Sequence, residues 1–373
     1  MAFNIGIDAR KLTDFGIGTY IRHLVESLAV VDSENRYVLF ARPEHQDRLS
    51  DLPENFHVVP EPAPVYSARE LLILSWRLLR LRLDLYHSTH YVLPAFVPCR
   101  AVVTIHDIIH LLYPEFLPNA LAFFYANRMI KRSLTRGDRI IAGSQNTKAD
   151  LLQHFEVDER KIEVVYYGVA ERFRQRVPDG ERQEILAGLG LASPYVLFVG
   201  NPKPHKNLDN VIRAYAKART LHDFEAHLVC VGGDGPETVR VKERARQLGV
   251  ADRVHFPGRL ADRFLPAVYQ GAELFVYPTL YEGFGLPVVE AMASGVPVIT
   301  SDKSALKEVA EGYADLVNPV DVDQMAHAIA HCLSDPEHRS ALAKLGTRRA
   351  ADFQWHRTAE QTLEVYRRAL GSS

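Results

Sequence analysis

Tyr277-Pro-Thr-Leu-Tyr-Glu-Gly-Phe-Gly-Leu-Pro-Val-Val-Glu-Ala-Met-Ala-Ser-Gly-Val-Pro-Val-Ile299 is the stretch around which the rest of the chain is organised. It leaves an apolar strand pattern, Leu274–Tyr277, passes through a glycine-bracketed turn and enters a helix at Pro287. Proline suits the first helical turn, where its missing N–H would have had no intrahelical acceptor. A second strand pattern, Pro297–Thr300, follows. Strand, helix and strand in close succession belong to a parallel α/β layer. Glu282 falls in the loop, and Glu290 about one turn inside the helix. The amides of Gly283, Phe284, Gly285 and Leu286 are expected to point into the space the loop lines, as donors for an anionic or hydroxyl-rich ligand. A buried structural turn would not need an acidic side chain on each flank. The stretch therefore reads as a sugar-and-phosphate site.

The same alternation runs through the whole chain. In the first half, strand patterns fall at Asn4–Asp8, Tyr37–Phe40, His57–Val59, Leu85–His87, Ala101–Ile105, Arg139–Ala142 and Ile162–Val165. Helical patterns lie near Gly18–Val31, Ser67–Arg82, Leu117–Thr135 and Thr147–Phe155. Between Ala170 and Ala192 the chain turns polar and charged, with Pro178-Asp-Gly180 as a turn signal, and reads as a linker. A second set of strands appears at Tyr195–Val199, Ala226–Val231, Val254–Phe256, Leu274–Tyr277, Pro297–Thr300 and Ala314–Val317. A helix near Leu208–Arg219 follows the first of these, and helical patterns at Asp321–Ser334, Glu337–Asp352 and His356–Leu370 close the chain. The expected architecture is α/β, with two Rossmann-like halves whose parallel sheets face each other across a deep cleft. The expected boundaries are 1–175 for the first half, 176–193 for a linker, 194–353 for the second half, and 354–373 for a helix packing back toward the first.

The bulk composition agrees with an ordinary enzyme and excludes several classes. At 373 residues the chain exceeds the size at which single cores stop growing. Forty-four Lys and Arg against 46 Asp and Glu leave no global pull toward nucleic acid. The three cysteines, Cys99, Cys230 and Cys332, have no ligand-like spacing, so neither a disulfide framework nor a zinc site follows, and a reducing cytosol is the simpler setting. The chain opens into the strand pattern Phe3–Asp8 without a basic-then-apolar leader. It holds no run of eighteen apolar residues that would span a bilayer.

Several other positions carry chemistry. Glu290 is suited to bind two vicinal hydroxyls through its two oxygens, as a ribose presents them; the plain alternative is a helix-N-terminal Glu stabilised by the dipole. Gly200-Asn-Pro-Lys-Pro-His-Lys206 follows a strand and precedes a helix, where α/β folds bind phosphate. Lys206 is a point charge able to neutralise a leaving diphosphate. Gly16-Ile-Gly18 joins the first strand to the first helix and fails as a dinucleotide fingerprint, since the position three after Gly18 is Ile21. Gly233-Asp-Gly235 fails similarly, at Thr238. His106-Asp107 ends an apolar strand and should sit at a cleft edge, although a strand-end His is often a satisfied structural residue. His87, His90 and His110 add edge histidines without a carboxylate spacing that would favour a metal. Asp321 and Asp323 precede a helix and read as caps rather than metal ligands. The apolar stretch Arg69–Arg82, with Arg128, Lys131, Arg132, Arg136 and Arg139, is either a core helix with a solvated basic edge or a surface for an anionic membrane.

Gly16-Ile-Gly18, His106-Asp107, Gly200 through Lys206, Gly232 through Pro236 and Glu282-x7-Glu290 occur in an order that resembles the retaining glycosyltransferase family four of the GT-B superfamily, bacterial polysaccharide mannosyltransferases in particular. The resemblance covers nearly the whole chain. It implies that Glu290 binds the nucleotide ribose, that Glu282 positions the transferred sugar, and that the Gly283, Phe284, Gly285 and Leu286 amides hold sugar hydroxyls and a phosphate oxygen. It implies further that Gly18, Gly200 and Lys206 serve the donor diphosphate. The Val254 backbone would read the base, and His106 and Asp107 would lie by the reacting carbon or the acceptor. His106, Lys206 and Glu282 are the expected catalytic set. Where many relatives carry Arg, this chain has Asn201, which cannot supply the charge; Lys203 is the candidate substitute.

The resemblance implies a retaining, metal-independent hexosyltransferase without a cofactor, using a GDP- or UDP-linked sugar, with mannose favoured. The expected acceptor is a saccharide or lipid-linked saccharide. The expected location is the cytoplasm, with peripheral membrane contact open and no nucleic-acid partner. The rivals are an epimerase or phosphorylase on the same fold and a non-catalytic nucleotide-sugar-binding protein.

Overall fold

Thirteen strands among the described residues, all pairing in parallel, build two separate sheets. The computed structural model describes residues 2–65, 67, 70–117 and 119–371. Ala68 and Arg69 of the expected helix Ser67–Arg82, and Pro118 of the expected helix Leu117–Thr135, lie outside the described residues. Two compact units divide the chain, the first comprising Met1–Gly168 and Gln354–Ser373, the second Val169–Phe353.

The first unit is built on β1 (Asn4–Asp8), β2 (Arg36–Ala41), β3 (Phe56–Pro60), β4 (Leu85–Ser88), β5 (Arg100–Ile105), β6 (Arg139–Ala142) and β7 (Ile162–Val164). Their order across the sheet is β3-β2-β1-β4-β5-β6-β7, so the winding reverses between β1 and β4. The sheet is covered by α1 (Phe15–Val31), α2 (Ser75–Leu81), α3 (Ile109–Leu112), α4 (Ala120–Arg136) and α5 (Gln145–His154). Helix α1 buries Ile21, Leu24, Val25 and Leu28, the three-and-four spacing of a core-facing stripe. Asn119 caps α4 by accepting from the Ala122 amide, and Ser144 caps α5 through the Thr147 amide. The apolar stretch after Ser67 is not one regular helix. Its residues Glu70–Leu74 form a wider π turn that runs into α2, and the turn buries Glu70.

The second unit holds β8 (Tyr195–Val199), β9 (His227–Val231), β10 (Val254–Gly258), β11 (Leu274–Tyr277), β12 (Val298–Ser301) and β13 (Asp315–Val317) in the order β10-β9-β8-β11-β12-β13. Its winding reverses between β8 and β11. Eight helices accompany them: α6 (Asp179–Gly188), α7 (Leu208–Leu221), α8 (Pro236–Gln247), α9 (Leu265–Gln270), α10 (Leu286–Ala293), α11 (Ser304–Ala310), α12 (Val322–Ser334) and α13 (Pro336–Ala350). The polar stretch 176–193 thus carries helix α6, whose N-terminal turn is acidic. Asp321 caps α12 by accepting from the Asp323 and Gln324 amides, which uses it as the sequence reading had it.

The chain ends in α14 (Trp355–Leu370), which packs on α1 in the first unit. Tyr366 on α14 bonds His87 Nδ1 at 2.7 Å, and Thr358 donates to the Tyr166 carbonyl at 2.7 Å. The buried His87 on β4 is therefore matched by a polar group on this helix, as burial requires. No helix among the described residues is long and apolar enough to cross a membrane. Cys99, Cys230 and Cys332 are free.

Candidate active site

In open α/β sheets, ligands bind beyond the carboxyl ends of the strands where the winding reverses. In the second unit that place lies between β8 and β11, and both strands lead directly into the singled-out segments. The loop after β8 carries Gly200 to Lys206 and closes with Asn207 in the left-handed conformation (φ 64°) at the entry to α7. Asn207 is buried and donates to the Pro278 and Pro319 carbonyls at 2.9 and 2.6 Å. The Leu280 amide donates to the His205 carbonyl at 2.9 Å, so the loops after β8 and β11 are bonded to each other.

This coupling sets Lys206 against Glu282. The Lys206 ammonium is ion-paired to Glu282 Oε1, and the Tyr277 hydroxyl donates to the same oxygen at 2.8 Å. Tyr277 ends β11, is buried, and is held protonated well above its ordinary range by burial and by the Glu282 charge. The Glu282 amide donates to Ser304 Oγ at 3.1 Å, which fixes the loop behind the carboxylate. Oε2 of Glu282 has no partner among the described residues.

Glu290 lies four residues into α10, where the sequence reading had it. The Tyr269 hydroxyl donates to its Oε2 at 3.0 Å. Burial pushes the Glu290 carboxyl up to about 7, while the Tyr269 hydrogen bond and the Arg172 charge pull it partly back. Glu282 and Glu290 thus differ in kind. The first is an ion-paired anion; the second is a half-buried carboxyl without a bonded cation. Gly285 caps α10 with φ of 100°, and a Cβ there would sit 2.3 Å from Leu306 Cδ2, so only glycine fits.

Other expected residues are placed differently. Lys203 is exposed and makes no ion pair among the described residues. Asn201 O accepts from the Lys203 amide at 2.7 Å, and the Gly200 amide is spent on the Val231 carbonyl at 2.9 Å. A hollow at the carboxyl ends of β8, β9 and β10 is lined by Gly200, Pro202, Gly232, Asp234, Phe256 and Gly258. Val254 does not line it. It is buried at the amino end of β10, so Phe256 and Gly258 are the residues of that strand that face the hollow.

In the first unit, His106 follows β5. Its Nε2 donates to the Thr89 carbonyl at 2.9 Å, which fixes the tautomer, and Nδ1 then accepts from the Tyr167 hydroxyl at 2.6 Å. Burial pushes its pKa down to about 4, so the ring is neutral and both nitrogens are engaged. It can present a ring edge but has no nitrogen left for proton transfer. Asp107 Oδ1 accepts from the Ile109 amide at 3.0 Å, at the start of α3. Gly18 lies inside the first turn of α1, and its amide donates to the Asp14 carbonyl at 2.7 Å. A Cβ at Gly18 would meet the Leu12 carbonyl oxygen at 2.4 Å, so this glycine is required by packing.

One grouping was illegible in sequence. Asp8, Glu70 and His90 converge in the first unit from β1, the π turn and the loop after β4. The Arg10 guanidinium bridges both carboxylates, at 2.5 Å to Asp8 and 2.6 Å to Glu70, and all four side chains are buried. Burial alone would raise the Asp8 carboxyl, but the Arg10 charge prevails and holds it far below the usual range. The cluster is a buried ion network in which the cationic place is already taken. Tyr277, Arg172, Asn207 and Ser304 were also missed. Nothing local marks them, because each matters through a partner distant in sequence.

The chain matches two family models, Glycosyltransferase Family 4 over residues 16–172 and Glycosyl transferases group 1 over residues 182–349. It is 29% identical over 372 residues to O-antigen chain mannosyltransferase B of Escherichia coli, covering 94% of this chain and 96% of that protein. It is 35% identical over 247 residues to MMP alpha-(1->4)-mannosyltransferase of Mycolicibacterium hassiacum, covering 65% of this chain and 57% of that protein. Among solved structures, sucrose-phosphate synthase from Thermosynechococcus elongatus superposes with a TM-score of 0.79 over all of both chains at 24% identity. That likeness shows the fold, the pair of Rossmann-like domains called GT-B. The chain belongs to the glycosyltransferases these models describe, with a Family 4 domain followed by a group 1 domain.

Proposed function

We propose that the protein moves a hexose, with mannose favoured, from a nucleoside diphosphate sugar to a saccharide or lipid-linked saccharide acceptor, with retention and without a metal ion or cofactor. The observation that carries the donor site is the pairing of Lys206 with Glu282, and of Glu290 with Tyr269, at the strand ends where the second sheet reverses. A leaving diphosphate needs fixed positive charge and dipoles. Lys206 and the amides opening α7 and α10 supply them. Glu290 would hold the ribose and Glu282 the sugar ring. The mannose preference is supported by the names of the two relatives, both mannosyltransferases. The deciding experiment incubates the protein with GDP-mannose, UDP-glucose or UDP-galactose and oligosaccharide acceptors, with and without a chelator, and reads the product anomer by NMR. Transfer from GDP-mannose with retained configuration in the chelator supports every part. An epimerised sugar nucleotide, phosphate-dependent glycoside cleavage or binding without turnover would overturn it.

We further propose a cytoplasmic protein whose first unit rests on an anionic membrane surface, where a lipid-linked acceptor is met. Leu72 (67% exposed), Trp76 and Leu79 follow one helical face, and Leu121 (75% exposed) and Phe124 another. The loop holding exposed Phe96 joins them. The Ala95 amide donates to the Leu71 carbonyl at 2.8 Å, the Phe96 amide to Ser75 Oγ at 2.9 Å, and Arg132 to the Pro94 carbonyl at 3.1 Å. Arg80 lies over the Trp76 ring at 3.8 Å, and Arg128, Lys131 and Arg136 are exposed along α4. An apolar patch edged by cations suits an anionic lipid surface. Sedimentation with phosphatidylglycerol vesicles, but not with phosphatidylcholine vesicles, and its loss in Trp76→Ser with Leu121→Ser are expected. Equal behaviour with both lipids would refute the charge argument.

A further inference from the structure

The cation assigned to the donor phosphate is already neutralised by a carboxylate of the same site. Lys206 is ion-paired to Glu282 Oε1, its ammonium lies 5.6 Å above the Tyr277 ring, and both side chains are mostly buried. Tyr277 bonds that same oxygen and is fixed in a strand, so Glu282 stays anchored whether or not Lys206 holds it. A diphosphate entering here finds Lys206 already paired. It must draw Lys206 away from Glu282 or share its three N–H donors.

We propose that Glu282 stands in for the donor phosphate in the ligand-free protein, and that Lys206 exchanges Glu282 for the diphosphate when donor binds. This rests on the donor-site reading above. The exchange leaves Glu282 held by Tyr277 and relieved of its cation, with oxygens available to accept hydroxyls of the sugar that the diphosphate carries. A nucleoside diphosphate without a sugar breaks the same ion pair and gives Glu282 nothing in return. Recognition of the sugar is thereby coupled to capture of the phosphate, and Tyr277 is a positioning residue for that coupling. A carboxylate that only held sugar would have no influence on binding of the sugar-free nucleotide.

The test measures binding of GDP and UDP by calorimetry to the full chain and to Glu282→Gln, Lys206→Met and the double variant. Glutamine keeps the acceptor for Tyr277 and removes the competing charge. Glu282→Gln is expected to bind the sugar-free nucleotide ~3–10-fold more tightly, because a charged partner no longer has to be displaced. The gain should vanish in the Lys206→Met background, since the two residues act through one contact. Tyr277→Phe should lower kcat with the sugar nucleotide while leaving affinity for the sugar-free nucleotide within ~2-fold, a split that a general loss of structure would not produce. If the wild-type chain binds neither nucleotide, the donor-site reading itself fails. If it binds one and Glu282→Gln binds that nucleotide no better, or gains equally without Lys206, the exchange alone is overturned.

Discussion

Glu290→Gln should make the protein more stable in alkali while weakening nucleotide binding. The Glu290 carboxyl is raised from 4.5 to about 7, chiefly by burial. A carboxyl raised in the folded state binds its proton more tightly there than in the unfolded chain. Between these two values the folded form carries more protons, so stability falls as pH rises. The stabilisation is complete below about 4.5 and lost as pH passes through about 7. The full shift corresponds to ~3 kcal/mol at 1.36 kcal/mol per unit. Partial solvent access at Glu290 reduces this to ~1–2 kcal/mol. For a unit of this size each kcal/mol moves the midpoint by roughly 2–4 °C. Glutamine is neutral at every pH and still accepts the Tyr269 hydrogen bond. The variant should therefore melt with wild type at pH 5 and ~2–8 °C above it at pH 8. Both tryptophans, Trp76 and Trp355, lie in the first unit, so the transition of the second is followed by scanning calorimetry. Nucleotide affinity should drop ~10–100-fold, as expected for losing charged hydrogen bonds. A melting difference that is the same at both pH values, or wild type the more stable at pH 8, would refute the burial argument.

Lys206→Ala should lower transfer by ~10²–10³-fold, with a melting midpoint close to wild type; near-normal turnover in steady-state assays rules out its role at the leaving group. With its pKa near 4 and both nitrogens bonded, His106 contributes no titration to the rate between pH 5.5 and 8.5. Any inflection near 7 in kcat/KM should survive His106→Asn and disappear in Glu290→Gln; the reverse pattern would place the titrating group on His106. Gly285→Ala should destabilise the second unit by ~2–4 kcal/mol, from the left-handed backbone and from overpacking. Adding Leu306→Ala should recover only the overpacking part, and full recovery in urea titrations would mean that the backbone conformation is not strained.

The sequence announces this fold through strands that are buried on both faces. The run Tyr195–Val199 is apolar throughout, as a central parallel strand is, and it lies where the pattern places it. Glu282 and Glu290 were legible because proline and glycine fix where α10 begins, and position along a helix follows by counting. What stayed hidden depends on long-range partners. Nothing near Tyr277 indicates a hydroxyl that holds Glu282, since a tyrosine ending a strand reads as core. Asn207 looks like one more polar loop residue until the Pro278 and Pro319 carbonyls are found on either side of it. The packing of Gly18 against Leu12 was hidden as well, because a glycine needed for close packing and one needed to admit an anion look identical in sequence. The irregular start of the 70–81 segment was equally invisible, because the spacing of its apolar residues suits a regular helix.

The charge of the proposed donor site follows from where Lys203, Lys206 and Glu290 lie. Asn201 supplies no cation and Lys206 is paired with Glu282, which leaves the exposed Lys203 as the cation of this loop without an ion pair among the described residues. Glu290, half-protonated near pH 7, adds a partial negative charge that nothing bonded to it offsets. Lys206, so paired, does not attract a ligand by net charge. Under the proposed exchange, the donor would be recognised by substitution, phosphate for carboxylate on Lys206 and hydroxyls for water on the two glutamates. A strongly cationic site would hold any polyanion, including the nucleoside diphosphate product, whose slow release limits many enzymes. In the proposed exchange, the return of Lys206 to Glu282 would give the product phosphate an intramolecular competitor, and the carboxylate proposed to recognise the sugar would also help to expel what remains once the sugar has gone.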